Sequence, residues 1–283
     1  MTLKEYKAKI RYLMDDNIHG ASFLESSLLQ TFKQGYNDLR LSSFIKLIDY
    51  AEKWPTVMAN LLNLIRYIKC QLKKSNLNID ILLDEHSKNI RISQLAIILK
   101  AAKQISNYNS IATISNSSMI NSSINLAVSR GWRGMVFIPE SRPILEGEIL
   151  ASELSGLPIK IIYGTDYQIL SLLKNADAAF VGADAIDKEY FINKVGTEAM
   201  ATVLGSHKTM YVIADLFKYY DGIENLEIED MPSSEVWTIA PEAITIKNQY
   251  FEKIQIKENM VFVNEMGLHR KNEIKKYLEK RNT

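Results

Sequence analysis

The chain has 283 residues, 47% of them hydrophobic and 24% charged, with a formal net charge of +1. That is ordinary globular composition with room for two cores, and the charge total gives no footprint for general nucleic-acid binding. The single cysteine, Cys70, excludes an intramolecular disulfide, and no apolar run is long enough to span a bilayer.

The opening residues, Met1-Thr-Leu-Lys-Glu-Tyr6, lack the apolar core of a signal peptide, so the cytoplasm is the expected compartment. The first hundred or so residues read as helices. Apolar residues recur at helical spacing in Phe23, Leu24, Leu28 and Leu29, in Phe44, Ile45 and Ile48, and in Leu61, Leu62, Ile65 and Ile68. Ser22 with Glu25 forms a capping-box pattern, and Pro55 after Trp54 is expected to open a helix. Cys70 falls on a helical stretch, where a packed thiol is the expectation. A further helix is expected over residues 93–103, and Asn107-Tyr-Asn-Ser110 reads as a linker. The four histidines, His19, His86, His207 and His269, show no metal-ligand spacing, and no cofactor is expected.

Beyond the linker, short apolar runs alternate with helical stretches. Ile111–Ile114, Met135–Ile138, Ile159–Ile162, Ala178–Val181, Met210–Ala214 and Val261–Val263 read as strands. Helices are expected over residues 118–129, 145–155, 167–174 and 197–204. Such alternation predicts a parallel sheet with crossover helices. The expected fold class is therefore α/β, with residues 1–106 as a helical domain and 107–283 as an α/β domain. No Gly-x-Gly-x-x-Gly is present, which leaves a dinucleotide site with little support.

Several strands end in a polar residue: Ser115, Glu140, Asp184 and Asp215. Any one of these is an ordinary helix cap or loop start. Together, at one edge of a parallel sheet, they converge on one crevice. Ser115-Asn-Ser-Ser118 is either a phosphate cradle or a Ser-rich cap. Lys194-Val-Gly-Thr197 carries the same two readings, with Gly and Lys favouring an anion. Arg142 either clamps a phosphate or pairs with Glu140 or Glu146.

These segments carry a family likeness. Asn17-Ile-His-Gly-Ala-Ser22, Trp54-Pro-Thr56, Thr113-Ile-Ser115, Glu140-Ser-Arg-Pro143 and Gly182-Ala-Asp-Ala-Ile186 occur in order. They are followed by Asn193-Lys-Val-Gly-Thr197 and Tyr211-Val-Ile-Ala-Asp-Leu-Phe-Lys218. Together they resemble the superfamily of the translation initiation factor 2B alpha, beta and delta subunits. Its enzyme members are ribose-1,5-bisphosphate isomerase and methylthioribose-1-phosphate isomerase. The resemblance implies an N-terminal helical domain, a Rossmann-like parallel-sheet domain, and dimers or higher oligomers.

The resemblance also assigns residues. Asp184 falls at the isomerases' catalytic aspartate, and Ser115 at their catalytic cysteine. Asn193, Lys194 and Arg142 match substrate- or phosphate-contacting positions, and Asn116 and the His19, Gly20, Ala21, Ser22 run fall with them. A serine hydroxyl is a much weaker acid than a thiol and needs a base, and no His or Lys stands near it in sequence. Two of the family's arginines are replaced, by His19 and by Trp54, unless Lys53 takes over the second charge.

The expected function is an initiation-factor-2B-like regulatory or binding subunit that keeps a pocket for a phosphorylated sugar or nucleotide and lacks isomerase activity. The alternative is an aldose–ketose isomerase acting on ribose-1,5-bisphosphate or a related sugar phosphate. A third reading is an oligomer subunit with a decayed pocket. Expected partners are further copies of the chain, related subunits and initiation factor 2, with neither a membrane nor nucleic acid bound directly.

Overall fold

The computed structural model describes residues 1–16, 20–74 and 78–281. Five helices come first: α1 (Leu3–Met14), α2 (Ala21–Asp38), α3 (Leu41–Ala51), α4 (Ala59–Gln71) and α5 (Ile79–Ile105). Their facing stripes bury Tyr6, Ile10, Leu24, Leu28, Phe32, Phe44 and Leu47 in one core, as the helical spacing predicts. Among the described residues no helix is long and apolar enough to cross a membrane.

Three local expectations fail here. The Ser22–Glu25 capping box does not form: α2 starts after Gly20 with no side-chain cap, and Glu25 turns inward at 2% exposure. Asn60 Nδ2 donates to Glu25 at 3.0 Å, and His86 Nε2 lies 3.5 Å from it. A buried carboxylate requires such partners. Pro55 does not open a helix either. The Ala59 N–H that would return to the Pro55 carbonyl donates instead to Asp184 O at 2.8 Å, and α4 begins only there. Cys70 is on α4 as expected but is exposed rather than packed.

The rest of the chain supplies β1 (Ser110–Ala112), α6 (Ser118–Ser129), β2 (Met135–Pro139), α7 (Glu146–Leu154), β3 (Lys160–Gly164) and α8 (Asp166–Leu172). Then come β4 (Ala178–Gly182), β5 (Ala185–Ile186), β6 (Tyr190–Lys194), α9 (Thr197–Leu204), β7 (Thr209–Ile213), β8 (Phe251–Gln255), β9 (Met260–Asn264), β10 (Gly267–His269) and α10 (Ile274–Arg281). Seven strands form a sheet in the order β10-β9-β7-β4-β1-β2-β3. All neighbours pair parallel except β10 with β9. Apolar clusters cover both faces, one around Val181, Val212 and Phe262, the other around Phe180, Ile213 and Ile138. Strands buried on both sides explain the near-continuous apolar runs in the sequence.

A second, antiparallel sheet of β5, β6 and β8 was not legible in the strand–helix alternation. It carries Asn193 and Lys194 at the end of β6. Helix α5 joins the two halves. Ile79, Leu83 and Ile90 enter the helical core, whereas Ile97, Ala101, Ala102 and Ile105 pack on the sheet.

Strand order runs one way from β1 through β2 to β3, and the other way through β4, β7 and β9. The crevice at the carboxyl ends of β1 and β4 is thus the topological switch point, where ligands sit in open α/β sheets. Close packing beside it depends on Gly147 in the first turn of α7. A Cβ there would land on the Pro139 carbonyl oxygen at the end of β2. Gly→Ala within a helix ordinarily stabilises by about 0.5–1 kcal/mol, but overpacking costs about 1–3 kcal/mol. Gly147→Ala is therefore expected to lower the unfolding midpoint. A midpoint raised in calorimetry would show that the β2–α7 corner yields without strain.

Candidate functional site

The crevice is a cleft of about 740 Å³. Its walls come from the start of α2, the 54–58 link, the β1–α6 loop, the end of β4, and the extra sheet. Gly20, Ala21, Ser22, Ser115, Asn116, Asp184 and Asn193 all line it, so most of the residues singled out in sequence meet in one place. His19 lies outside the described residues. Trp54 lines the cleft at 6% exposure, while Lys53 is exposed and is not among the lining residues, which leaves its charge no role there.

Ser115 follows β1 in a left-handed conformation (φ 66°), and Ser141 and Leu145 on the β2–α7 loop are left-handed too. Such backbone costs on the order of 1–2 kcal/mol per non-glycine residue and persists only where its surroundings hold it. Here they do. Ser115 N–H donates to Ser141 Oγ at 2.9 Å, and Ser141 N–H donates to Asp166 Oδ1 at 2.8 Å. This arrangement directs Ser115 Oγ to Glu146, where it donates to Oε1 at 3.0 Å. The polar partner of Ser115 that the neighbouring sequence lacks is thus a carboxylate 31 residues away.

Glu146 turns its other oxygen to Lys194, in an ion pair with Nζ. Lys194 is 3% exposed, sits 5.0 Å from the Tyr250 ring centroid and is not among the cleft-lining residues. The start of α9 is occupied as well. Gly196, left-handed at φ 102°, and Glu198 both donate their N–H groups to Glu252 Oε1, at 2.9 and 2.8 Å. Lys194-Val-Gly-Thr197 is therefore an anion site, as its sequence suggests, but the anions it holds are the chain's own Glu146 and Glu252. Burial pushes the Glu252 carboxyl up, while the N–H groups of Glu198 and Gly196 pull it down.

Arg142 takes neither role expected of it. Its guanidinium donates to the Glu235 carbonyl at 3.1 Å and its backbone N–H to Asp166 Oδ2 at 3.0 Å. It ties down the 233–235 turn and is not among the cleft-lining residues.

Asp184 faces the cleft beyond β4. Its carboxylate lies 3.6 Å from Lys218 Nζ, which donates to Ala183 O at 2.6 Å. Burial raises the affinity of Asp184 for a proton, and Lys218 opposes that rise. Asn193 donates from Nδ2 to Thr197 Oγ1 at 2.9 Å, and Thr197 Oγ1 donates to Lys194 O at 2.6 Å. Asp215, grouped with the crevice in sequence, sits behind it at 2% exposure and does not line it. Glu140 does not line it either.

Lys218, Glu146 and Glu252 are the site residues that sequence reasoning missed. The signal for Lys218 was its place in the Tyr211–Lys218 run that carries the family likeness. The two glutamates had no local signal, since their partners stand far away in the chain.

The chain matches the model of the Initiation factor 2 subunit family over residues 36–264. It is 28% identical over 269 residues to the eIF-2B subunit 2-like protein of Pyrococcus horikoshii, with 92% of this chain and 94% of that protein covered. Ribose 1,5-bisphosphate isomerase of Methanocaldococcus jannaschii is 28% identical over 174 residues, which is 59% of this chain and 56% of the isomerase. The match to the eIF-2B subunit 2-like protein of Pyrococcus furiosus likewise takes in 62% of that relative's length. The crystal structure of the Pyrococcus horikoshii OT3 translation initiation factor eIF-2B gives a TM-score of 0.81 at 25% identity, covering 94% of this chain and 96% of that one.

Asp215 generates a pH prediction. Burial, then the nearby Glu25, with Lys218 opposing and Glu265 adding, pushes its carboxyl from 3.8 up to about 7. The folded state therefore binds this proton more tightly than the unfolded chain. Its contribution to stability is full below pH 3.8, falls as pH rises to about 7, and is level above that. Asp215→Asn, which mimics the protonated form, should unfold at the same denaturant concentration as wild type near pH 4. At pH 8 it should be the more stable by upwards of about 1 kcal/mol, since one pKa unit corresponds to about 1.4 kcal/mol. Urea titrations at both values check this, and a pH-independent difference would rule it out.

Proposed function

The chain belongs to the initiation factor 2 subunit family, and on that premise we propose that it is an eIF-2B-type binding subunit whose cleft holds a small ligand without turning it over. The observation that carries this reading is the Ser115–Glu146–Lys194 arrangement. The hydroxyl, which the resemblance aligns with the isomerases' thiol, donates to a carboxylate that is itself ion-paired with a buried ammonium. Moving a proton between neighbouring carbons requires an acid or base that is free to exchange it at the reacting atoms. The single thiol of the chain, Cys70, is on the exposed side of α4 and does not line the cleft. Binding, in contrast, needs only complementary contacts. Its partners are further copies of itself, related subunits or initiation factor 2, and its compartment is the cytoplasm.

One observation favours an isomerase instead. Asp184 faces the cleft with its proton affinity raised, and Glu146 gives Ser115 a carboxylate neighbour. A steady-state assay with ribose-1,5-bisphosphate separates the two readings. The binding-subunit reading expects no turnover above the buffer rate from wild type, and none from Ser115→Cys, in which Glu146 and Lys194 remain paired. Turnover by wild type that disappears in Asp184→Asn would establish the isomerase and end the binding-subunit reading.

A further inference from the structure

The cleft has the opposite electrostatic character to a phosphate site. Its described wall carries Glu153, Asp184, Glu227 and Glu229, besides Glu146, whose charge Lys194 balances from behind the wall, and the ammonium that lines it is Lys218. Lys218 already donates to Ala183 O and lies beside Asp184. The two other cations expected to meet phosphate are engaged elsewhere, Lys194 with Glu146 and Arg142 with the Glu235 carbonyl. Even the N-terminus of α9 is filled by Glu252. A phosphate dianion entering here would meet a field of its own sign in a partly desolvated space, where like charges interact most strongly.

A second, independent observation points to what the wall does want. Asn193 is 6% exposed and lines the cleft. Its orientation is set: Thr197 Oγ1 gives its own hydrogen to Lys194 O, so it can only accept, and the group facing it must be Asn193 Nδ2. Asn193 Oδ1 is therefore an acceptor. It has no protein partner among the described residues, and it stands near Gly182 and Ser117 at the mouth of the switch point. The Asp184 carboxylate has Lys218 Nζ beside Oδ1 at 3.6 Å, and a carboxylate keeps acceptor capacity beyond that one contact. Beside Asn193 Oδ1 the start of α6 also lines the cleft, where Ser117 makes no side-chain cap and backbone N–H groups are donors.

An occupant must therefore donate to Asn193 and Asp184 and accept from α6. A phosphate does only the second, and an ammonium only the first. A hydroxyl does both. Met14, Met58, Met231 and Phe251 add an apolar, adaptable wall beside this polar end. We propose that the cleft takes an uncharged polyhydroxylated molecule with an apolar face, in the size class of a nucleoside, and selects against its phosphorylated form. Vicinal hydroxyls bond the Asn193 amide oxygen and the Asp184 carboxylate, and Glu146 acts as an internal anion that holds Lys194 away from any phosphate. This rests on the reading of the cleft as a ligand site and narrows it to a chemical class.

Isothermal titration of wild type with paired probes tests it: adenosine against adenosine 5′-monophosphate, and methyl riboside against ribose 5-phosphate. The unphosphorylated member of at least one pair should bind, and its phosphorylated partner should bind at least about tenfold more weakly. Asn193→Leu should weaken the unphosphorylated probe by about tenfold. Glu146→Gln, which releases Lys194, should narrow the gap within the pair. The wild-type comparison decides even if Glu146→Gln fails to fold. Equal or tighter binding of the phosphorylated probes, or no binding by any of the four, overturns the proposal. Phosphate preference without turnover of ribose-1,5-bisphosphate would overturn this inference alone, whereas turnover would overturn the binding-subunit reading whatever the preference.

Discussion

A carboxylate between a hydroxyl and a buried ammonium sets the character of the cleft. Lys194 is 3% exposed, and an unpaired ammonium at that depth is costly by several kcal/mol. Something negative has to stand beside it in the folded protein. Glu146 does so, and in the same place fixes the hydrogen of Ser115. Glu146 opens α7, where the positive end of the helix dipole also favours a carboxylate. Three separate demands, from a lysine on β6, a serine after β1 and a helix start, are met by one side chain.

The fold delivers these residues by topology. β1 and β4 are neighbours around which the chain order reverses, so their loops open into one crevice. The helical part closes that crevice and is fastened to it by polar bonds. Ala59 N–H reaches Asp184 O, and Asn63 Nδ2 donates to the carbonyls of Phe217 (2.6 Å) and Tyr219 (3.1 Å). Arg66 bonds the Tyr220 hydroxyl from the same face of α4. Lys218 lies between those two fastened carbonyls. Its ammonium is placed by α4 as much as by the strand before it. It serves Asp184 on one side and lowers the proton affinity of Asp215 on the other, so the cleft and the acid cluster behind it share one cation.

How much of this was legible follows from the range of the interaction involved. The six strands read from apolar runs are present, with ends shifted by a residue or two, because burial on both faces leaves a local mark in composition. The helices read from spacing are present because a one-sided apolar stripe is also local, although the one expected over 93–103 is only the last part of α5, Ile79–Ile105. Ser115, Asn116 and Asp184 were legible as neighbours, since the switch-point rule converts strand ends into one place, whereas Asn193 came only with the family resemblance. What failed was every reading that depended on a distant partner. Ser22 and Glu25 match a cap, but Asn60 and His86 claim the glutamate. Pro55 matches a helix start, but Asp184 holds the amide that the first turn would need. Arg142 was weighed between two nearby acids and a phosphate, and it bonds a carbonyl 93 residues on. The antiparallel strand β6 was missed because its near partner β5 is only two residues long and its longer partner β8 lies beyond a long stretch of turns.

The lysine–glycine start of α9 shows why a local motif cannot name its ligand. Free N–H groups and an ammonium specify that an anion will be bound. They carry no information on whether it arrives from solution or from the chain. A carboxylate of the same protein has an advantage in that contest: it loses no translational freedom on binding, a cost that a free ligand must overcome each time. Glu252 from β8 and Glu146 from α7 hold that advantage here. Once both are in place, the motif is electrically satisfied. The groups that face the cleft with acceptor capacity left are Asn193 Oδ1, which has no protein partner among the described residues, and the Asp184 carboxylate beyond its contact with Lys218. The chemistry left to the cleft is then set by what those acceptors need, which is a donor of hydrogen.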